Sequence, residues 1–296
     1  MKVGVIGAGA WGTALAILSA RGGNDVTLWC YDTADAKTMQ KSRENAFLPG
    51  IKLPENITVT DNMADLSGVE VWLIVPPAVY FRETVQKGRE FYKNQPVIIC
   101  TKGMDASGKF MSEILREELG PMEGKIGVLS GPQFAGEVAR GEPSGSTIAG
   151  GEGVINAARA ALAELTLQET DDIRGVEICG AGKNAVAILI GYIDTMGAGE
   201  NERAMRVTQA WGEMVSLGRA NGANTETFLG FCGLGDLFLT ATSTTSRNYS
   251  AGIALSQGER PNGTIEGISA IKGLSKIAAA QGISMPNLEF LSQLVE

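Results

Sequence analysis

The sequence predicts an α/β protein, with a doubly wound, mostly parallel sheet first and an all-helical second half. Three observations carry that expectation. Short β-rich runs alternate with helix-like segments through the first 174 residues. A glycine-rich turn joins the first run to the first helix-like segment. From residue 175 onward β-branched runs are scarce and helix-like stretches take over. The expected division is therefore 1–174 and 175–296, a reasonable load for two domains of about 150 residues each.

In chain order, 2–6 reads as a strand, 11–21 as a helix and 25–29 as a second strand. Apolar runs at 69–75, 97–100 and 125–129 read as further strands, with helices at 80–92 and 109–119 between them. Residues 146–149 and 165–170 read as edge strands. The second half offers helices at 176–194, 202–221, 225–231, 250–257, 267–281 and 287–294. No Pro/Ser-rich linker separates the halves, so a helix-packed junction is expected.

Composition narrows the chemistry. The chain has no histidine, which excludes a Ser-His-Asp or Cys-His nucleophile, an HExxH zinc site and any imidazole base. Acid-base work falls to Lys, Asp, Glu, Tyr or Cys. Lys plus Arg is 25 against 33 for Asp plus Glu, a net charge of −8. That charge argues against nucleic acid as a partner and leaves room for a local basic pocket that takes a small anion. Glycine stands at 39 of 296, well above the average share of about 7%, and points to tight turns and close backbone approaches. Cys30, Cys100, Cys179 and Cys232 form no CxxC, and Cys100 and Cys179 sit in or beside apolar runs, as buried thiols do. A reducing cytoplasm follows as the expectation, with no metal site. The first residues, MKVGVIGAGAWG, enter a strand at once, so no signal peptide is expected. Uninterrupted apolar stretches of about ten residues argue against a membrane span.

Gly7-Ala8-Gly9-Ala10-Trp11-Gly12 is a GxGxxG between a strand and a helix. Gly7 allows the tight turn, Gly9 lets a pyrophosphate reach the backbone, and Gly12 permits close helix–strand packing. The helix N-terminus adds amide donors and a favourable dipole. In this context the motif reads as a Rossmann-type dinucleotide site, with a purely structural turn as the alternative. Asp32 lies where a carboxylate would accept a ribose 2′-OH, and an ordinary surface aspartate remains the alternative. Pro76-Pro77, Thr101-Lys102-Gly103 and Ser130-Gly131-Pro132 also follow strands, so they should converge on one crevice with the glycine loop. Pro76 would stand on its cofactor side and Lys102 would place a cation there. Lys183-Asn184 precedes a very apolar stretch. Desolvation there would lower a lysine pKa and suit it to proton transfer, while the residues themselves lean toward a first-turn lysine reaching out to water. Asp236 sits in a glycine-rich apolar stretch. Thr240, the hydroxyl-rich residues 242–245, Ser246, Arg247 and Asn248 precede or open a helix and read as an anion site, with a Ser/Thr-rich loop and its N-cap as the alternative.

With these motifs assembled, the chain resembles the NAD(P)-dependent sn-glycerol-3-phosphate dehydrogenases, in their bacterial form. The resemblance runs through GAGAWGTALA, ENAFLPGIKLPENI, the TKG ending at Gly103, SGPQFAGEVARGEP, the GKN ending at Asn184, GLGDLFLT, the SRN ending at Asn248 and the IEG ending at Gly267. It implies hydride transfer between sn-glycerol 3-phosphate and a nicotinamide, NAD or NADP, feeding phospholipid synthesis. It implies Lys183 as the proton acceptor and donor at the substrate C2 oxygen, with Lys102 and Asp236 lining the reacting centre. Asn184 and Thr240 would support them. Arg247 and Asn248 would hold the substrate phosphate, helped by Ser246 and Gly131. Ala10, Trp11, Ala135, Arg247 and Glu266 match cofactor-contacting positions. The chain departs from the family at Gln133, beside the substrate, where Ser or Thr is usual. It departs at Tyr31, on the cofactor side, where a basic residue is frequent, and that counts against NADP. Gly182 replaces a bulkier residue, Gln209 an arginine, GERPNGTIEG is short, and the family continues beyond MPNLEFLSQLVE. Gln133 and Gln209 motivate one alternative, a relative acting on another small phosphorylated or phosphonylated ketone or hydroxy acid. A second alternative is a catalytically silent dinucleotide sensor. A small phosphorylated substrate is the expected partner, and a homodimer is left open.

Overall fold

The protein, a computed structural model, is described over residues 1–241 and 246–295. The hydroxyl-rich residues 242–245 lie outside the described residues. Eight strands form one sheet: β1 (Lys2–Ile6), β2 (Asp25–Trp29), β3 (Ile57–Thr60), β4 (Val71–Ile74), β5 (Val97–Ile99), β6 (Ile126–Ser130), β7 (Gly145–Gly150) and β8 (Thr166–Thr170). Their order is β3-β2-β1-β4-β5-β6-β7-β8. The ladder is parallel from β3 to β6, β7 runs antiparallel to β6, and β8 is parallel to β7. Chain order reverses between β1 and β4, so the carboxyl ends of β1, β4, β5 and β6 open onto one crevice.

Helices cover both faces of the sheet: α1 (Ala10–Arg21), α2 (Thr33–Ser42), α3 (Ala78–Gly88), α4 (Met111–Leu119), α5 (Ala135–Arg140) and α6 (Glu152–Ala161). The strand VWLI of β4 shows why. Val71 and Leu73 join one apolar cluster with α1 and α6, while Trp72 and Ile74 join the other with α3 and α4. All four are buried, as an apolar run in a two-sided parallel sheet must be. Two differences from the sequence expectation follow. β7 is an interior strand and only β8 is an edge. The opposite edge, β3, has only four residues, ITVT, too short a run to register against its polar surroundings.

The second half is α7 (Ile173–Thr195), α8 (Glu200–Ala220), α9 (Thr225–Leu229), α10 (Asp236–Ala241), α11 (Arg247–Ser256), α12 (Glu266–Gln281) and α13 (Pro286–Leu294). A π-helical turn, Phe231–Gly235, joins α9 to α10. The remaining helices gather around α7, which also packs on β6 and β7 and so forms the helix-packed junction. By length and composition α7 could cross a membrane, but 89% of its apolar window is buried inside the protein, so it is a core helix.

Glycines let other elements approach α7. A Cβ on Gly191 would stand 2.0 Å from the Tyr249 carbonyl oxygen, and one on Gly252 would stand 2.0 Å from the Ile188 carbonyl oxygen. α7 and α11 therefore cross backbone to backbone. Gly182 receives the Met214 side chain of α8, whose Sδ lies 2.7 Å from the missing Cβ. Gly252→Ala should force the crossing apart and cost about 1–3 kcal/mol of stability. A urea midpoint equal to that of the unmodified chain would show slack that the geometry does not contain.

Candidate active site

The glycine loop is built by sterics. Gly7 has φ +115°, and its missing Cβ faces the Pro76 nitrogen at 3.1 Å, which ties the ends of β1 and β4 together. A Cβ on Gly12 would lie 1.8 Å from the Gly7 carbonyl oxygen. Among the described residues nothing lies within 4 Å of the missing Cβ of Gly9, so this face of the loop is open. Gly9 caps α1, and Ala10 and Trp11 form the first turn, where amides are unpaired within the helix. Pro76 is buried, and its carbonyl accepts the Thr101 hydroxyl at 2.6 Å. Ala135 opens α5.

Lys102 leaves the end of β5 and reaches across the crevice. Its Nζ donates to the Gly131 carbonyl at 2.6 Å and to Asp236 Oδ2 at 3.0 Å. It also stands 5.6 Å from the Trp11 ring centroid, which joins the glycine loop to the polar centre. A Cβ on Gly131 would meet the Gly145 oxygen and Ser146 Cα at 2.6 Å each, so only glycine presents this carbonyl.

Lys183 lies in the middle of α7, not in a first turn, and is 6% exposed. The helix begins at Ile173, because Asp172 caps it by accepting from the Gly175 N–H at 2.8 Å. The lysine therefore cannot reach water. Its Nζ donates to Asp236 Oδ1 at 2.5 Å and to Thr240 Oγ1 at 3.3 Å. Burial pulls its pKa down to about 8, the Asp236 carboxylate opposes that, and Lys102 reinforces it. Asp236, 1% exposed, is thus shared by two lysines. One carboxylate against two ammonium groups leaves a net positive centre, suited to an anionic substrate and to oxyanion charge.

A chain of amides links the two halves beside this centre. Asn184 Nδ2 donates to the Lys102 carbonyl at 2.8 Å. Asn248 Nδ2 donates to Asn184 Oδ1 at 2.9 Å, and the Gly267 N–H donates to Asn248 Oδ1 at 3.0 Å. Ser246 caps α11 by accepting from the Tyr249 N–H at 3.3 Å. Arg247 is the first residue of that helix, exposed, with its charge acting on Glu266. Glu266 accepts from the Ala78 N–H at 3.2 Å, and burial raises its pKa to about 7.

Other expected residues stand apart or are differently engaged. Asp32 Oδ1 caps α2 by accepting from the Ala34 and Asp35 N–H groups, a structural use that leaves Oδ2 for a ribose. Tyr31 is exposed, with Lys87 Nζ 4.2 Å from its ring centroid. Gln133 lies beside Gly131, and both polar atoms of its amide are buried without a partner among the described residues. Gln209 is on an exposed face of α8. Thr147, Gln168 and the π-helical turn, which hold the segment leading to Asp236, had no recognisable sequence signal. All four cysteines are buried and free.

Two family models cover the chain: the N-terminal part of NAD-dependent glycerol-3-phosphate dehydrogenase over residues 2–153, and its C-terminal part over 172–296. The chain belongs to this family. A glycerol-3-phosphate dehydrogenase [NAD(P)+] of Methylobacterium radiotolerans is 42% identical over 295 residues, covering 96% of this chain and 89% of that protein. The corresponding Bradyrhizobium diazoefficiens protein is 38% identical, covering 100% of this chain and 92% of that one. The crystal structure of glycerol-3-phosphate dehydrogenase from Coxiella burnetii superposes with a TM-score of 0.92 at 31% identity, covering 100% and 94% of the two chains. A ketopantoate reductase from Ralstonia eutropha shares the fold at 18% identity and a TM-score of 0.68.

Within the dehydrogenase site, Asp236 is the group that keeps Lys183 from a still lower pKa. Asp236→Asn should therefore shift the Lys183 titration below about 8, as read from the 13Cε signal of labelled lysine. A midpoint that stays in place would remove Asp236 as the tuning charge.

Proposed function

We propose that the chain interconverts sn-glycerol 3-phosphate and dihydroxyacetone phosphate with NAD or NADP, and that Lys183 carries the proton. The observation that supports this most directly is the Asp236 carboxylate held between Lys183 and Lys102 at 2.5 and 3.0 Å. A sensor gains nothing from burying the Lys183 ammonium group, whose desolvation is costly, so the silent reading is set aside.

The residues present fit a dinucleotide. The open face at Gly9 admits phosphates, and Trp11 Nε1 and Glu266 Oε2 are buried without a partner among the described residues. Gly7, Gly9, Gly12, Ala10, Trp11, Pro76, Ala135, Arg247 and Glu266 would hold it, with Tyr31 and Asp32 at the ribose. When bound, the nicotinamide gives or takes the hydride. Asp32 and Asp35 carry no charge complementary to a 2′-phosphate, and Lys87 is engaged by Glu83 at 2.8 Å, which favours NAD. Residues 1–174 would serve the cofactor and 175–296 the substrate. The four buried thiols accord with a reducing cytoplasm.

Neutral Lys183 takes the proton from the C2 hydroxyl during oxidation, and its ammonium returns it during reduction. Lys102, fixed by Gly131, stabilises charge on the C2 oxygen. Ser246, Arg247 and Asn248 receive the phosphate at the start of α11, where dipole and guanidinium act together. Gln133 and Thr240 complete the pocket wall.

Alcohol oxidation should rise through a pH of about 8 as Lys183 deprotonates, and ketone reduction should fall through the same range. Lys183→Ala should lower kcat by about a hundredfold to ten-thousandfold, the usual worth of a proton-transfer group. Its Kd for NADH should stay unchanged. Near-normal turnover of that variant would remove Lys183 from the chemistry.

Arg247→Ala should raise KM for dihydroxyacetone phosphate by about tenfold or more, the worth of a charge-assisted bond of about 1.5–3 kcal/mol. An unchanged KM would end the anchoring role. The unpartnered Gln133 amide favours one second reading, a phosphorylated ketone with a further polar group. Steady-state assay of a ketone panel with NADH and NADPH separates the two. Failure of dihydroxyacetone phosphate beside turnover of another ketone would decide for the second.

A further inference from the structure

The π-helical turn Phe231–Gly235 runs directly into Asp236, so whatever fixes that turn fixes the carboxylate. π-helical turns are rare and concentrate at functional sites, and the first N–H groups of any helical turn need partners from outside it. Here the sheet supplies them. The Cys232 N–H donates to Thr147 Oγ1 at 3.1 Å. The Phe231 N–H donates to Gln168 Oε1 at 3.0 Å. The Thr147 hydroxyl donates in turn to Gln168 Oε1 at 3.2 Å, so the two side chains form one unit. We propose that Thr147, supported by Gln168, is a positioning residue that holds Asp236 in register with Lys183 and Lys102.

Four further observations support this assignment. Thr147 and Gln168 are direct cross-strand partners on β7 and β8, so their mutual geometry is set by the ladder. Thr147 is 2% exposed, an interior strand position where valine would fit equally well and only the hydroxyl reaches the turn. The turn is shaped to accept this support. A Cβ on Gly230 would lie 2.3 Å from Gln168 Oε1, and one on Gly233 would lie 2.1 Å from the Phe228 carbonyl oxygen. Ser130 is the partner of Thr147 on β6, and the next residue, Gly131, holds Lys102. A single rung across β6, β7 and β8 therefore fixes both ends of the Lys102–Asp236 contact.

The inference rests on the reading of Lys183 as the proton carrier, and the experiment separates the two. The full chain is assayed as Thr147→Val, Thr147→Ser, Gln168→Leu and Lys183→Ala. Readouts are kcat, the pH midpoint of alcohol oxidation and the Kd for NADH. Thr147→Val should lower kcat by about tenfold or more, since a displacement of about 1 Å in a catalytic group can cost about a hundredfold. Its pH midpoint should move down, because a receding Asp236 releases Lys183 to the effect of burial, and its Kd should not change. Thr147→Ser should restore both kcat and midpoint. Gln168→Leu, at an exposed edge position, should move both in the same direction by less, and it decides the matter by the same readings if Thr147→Val does not fold. Unchanged kcat and midpoint, or a kcat loss with an unmoved midpoint, would overturn the positioning role. Normal turnover of Lys183→Ala would instead overturn the proton-carrier reading beneath it.

Discussion

One carboxylate held between two lysines is the interaction on which the rest of the site depends. Asp236 is 1% exposed and Lys183 6% exposed, so neither can exchange its partner for water. Removing one member of such a buried ionic set leaves an uncompensated charge and costs about 3–5 kcal/mol. The set is also not an efficient source of stability, because apolar residues of equal volume would often serve as well. The carboxylate neutralises one ammonium group, orients both, and leaves a positive centre facing the crevice.

The three groups come from three kinds of structure. Lys102 leaves the end of a strand, Lys183 projects from the middle of a long buried helix, and Asp236 follows a π-helical turn. Bringing them within 3.0 Å requires backbones to approach more closely than side chains normally allow. The glycines serve this purpose. Gly191 and Gly252 let α7 and α11 cross, and Gly131 turns a carbonyl onto Lys102. Helical glycine costs about 1 kcal/mol relative to alanine, so α7 trades local helix preference for contact. The excess of glycine is therefore as much a packing device of the helices as a sign of turns.

Much of this was legible in the residues, because strand ends and the glycine loop are local patterns. The segments at Gly7, Pro76, Lys102 and Gly131 converge as their positions after strands require. The environment of Lys183 was not legible. The expected helix at 176–194 already set Lys183 past a first turn, against the reading of a lysine reaching out to water, and the cap at Asp172 moves the helix start back to Ile173. Asp32 was ambiguous for a related reason, since a carboxylate after the second strand suits a helix cap as well as a ribose. The support at Thr147 and Gln168 depends on strand register and on an irregular turn, neither of which has a sequence period.

The absence of histidine closes the argument from another side. Imidazole titrates near neutrality without help, whereas lysine in water titrates near 10.4 and is a poor proton carrier at neutral pH. Burial alone would correct this and overshoot, since a lysine desolvated without a partner can fall several units. Here desolvation lowers Lys183 while Asp236 raises it, and the balance rests at about 8. That pKa is set by opposing effects: burial in α7 and the nearby Lys102 lower it, and the Asp236 carboxylate at 2.5 Å raises it. In the role proposed for Lys183, a proton carrier tuned in this way is only as reliable as the position of its carboxylate. That is why a dehydrogenase without imidazole needs rigid support behind Asp236 as much as it needs Asp236 itself.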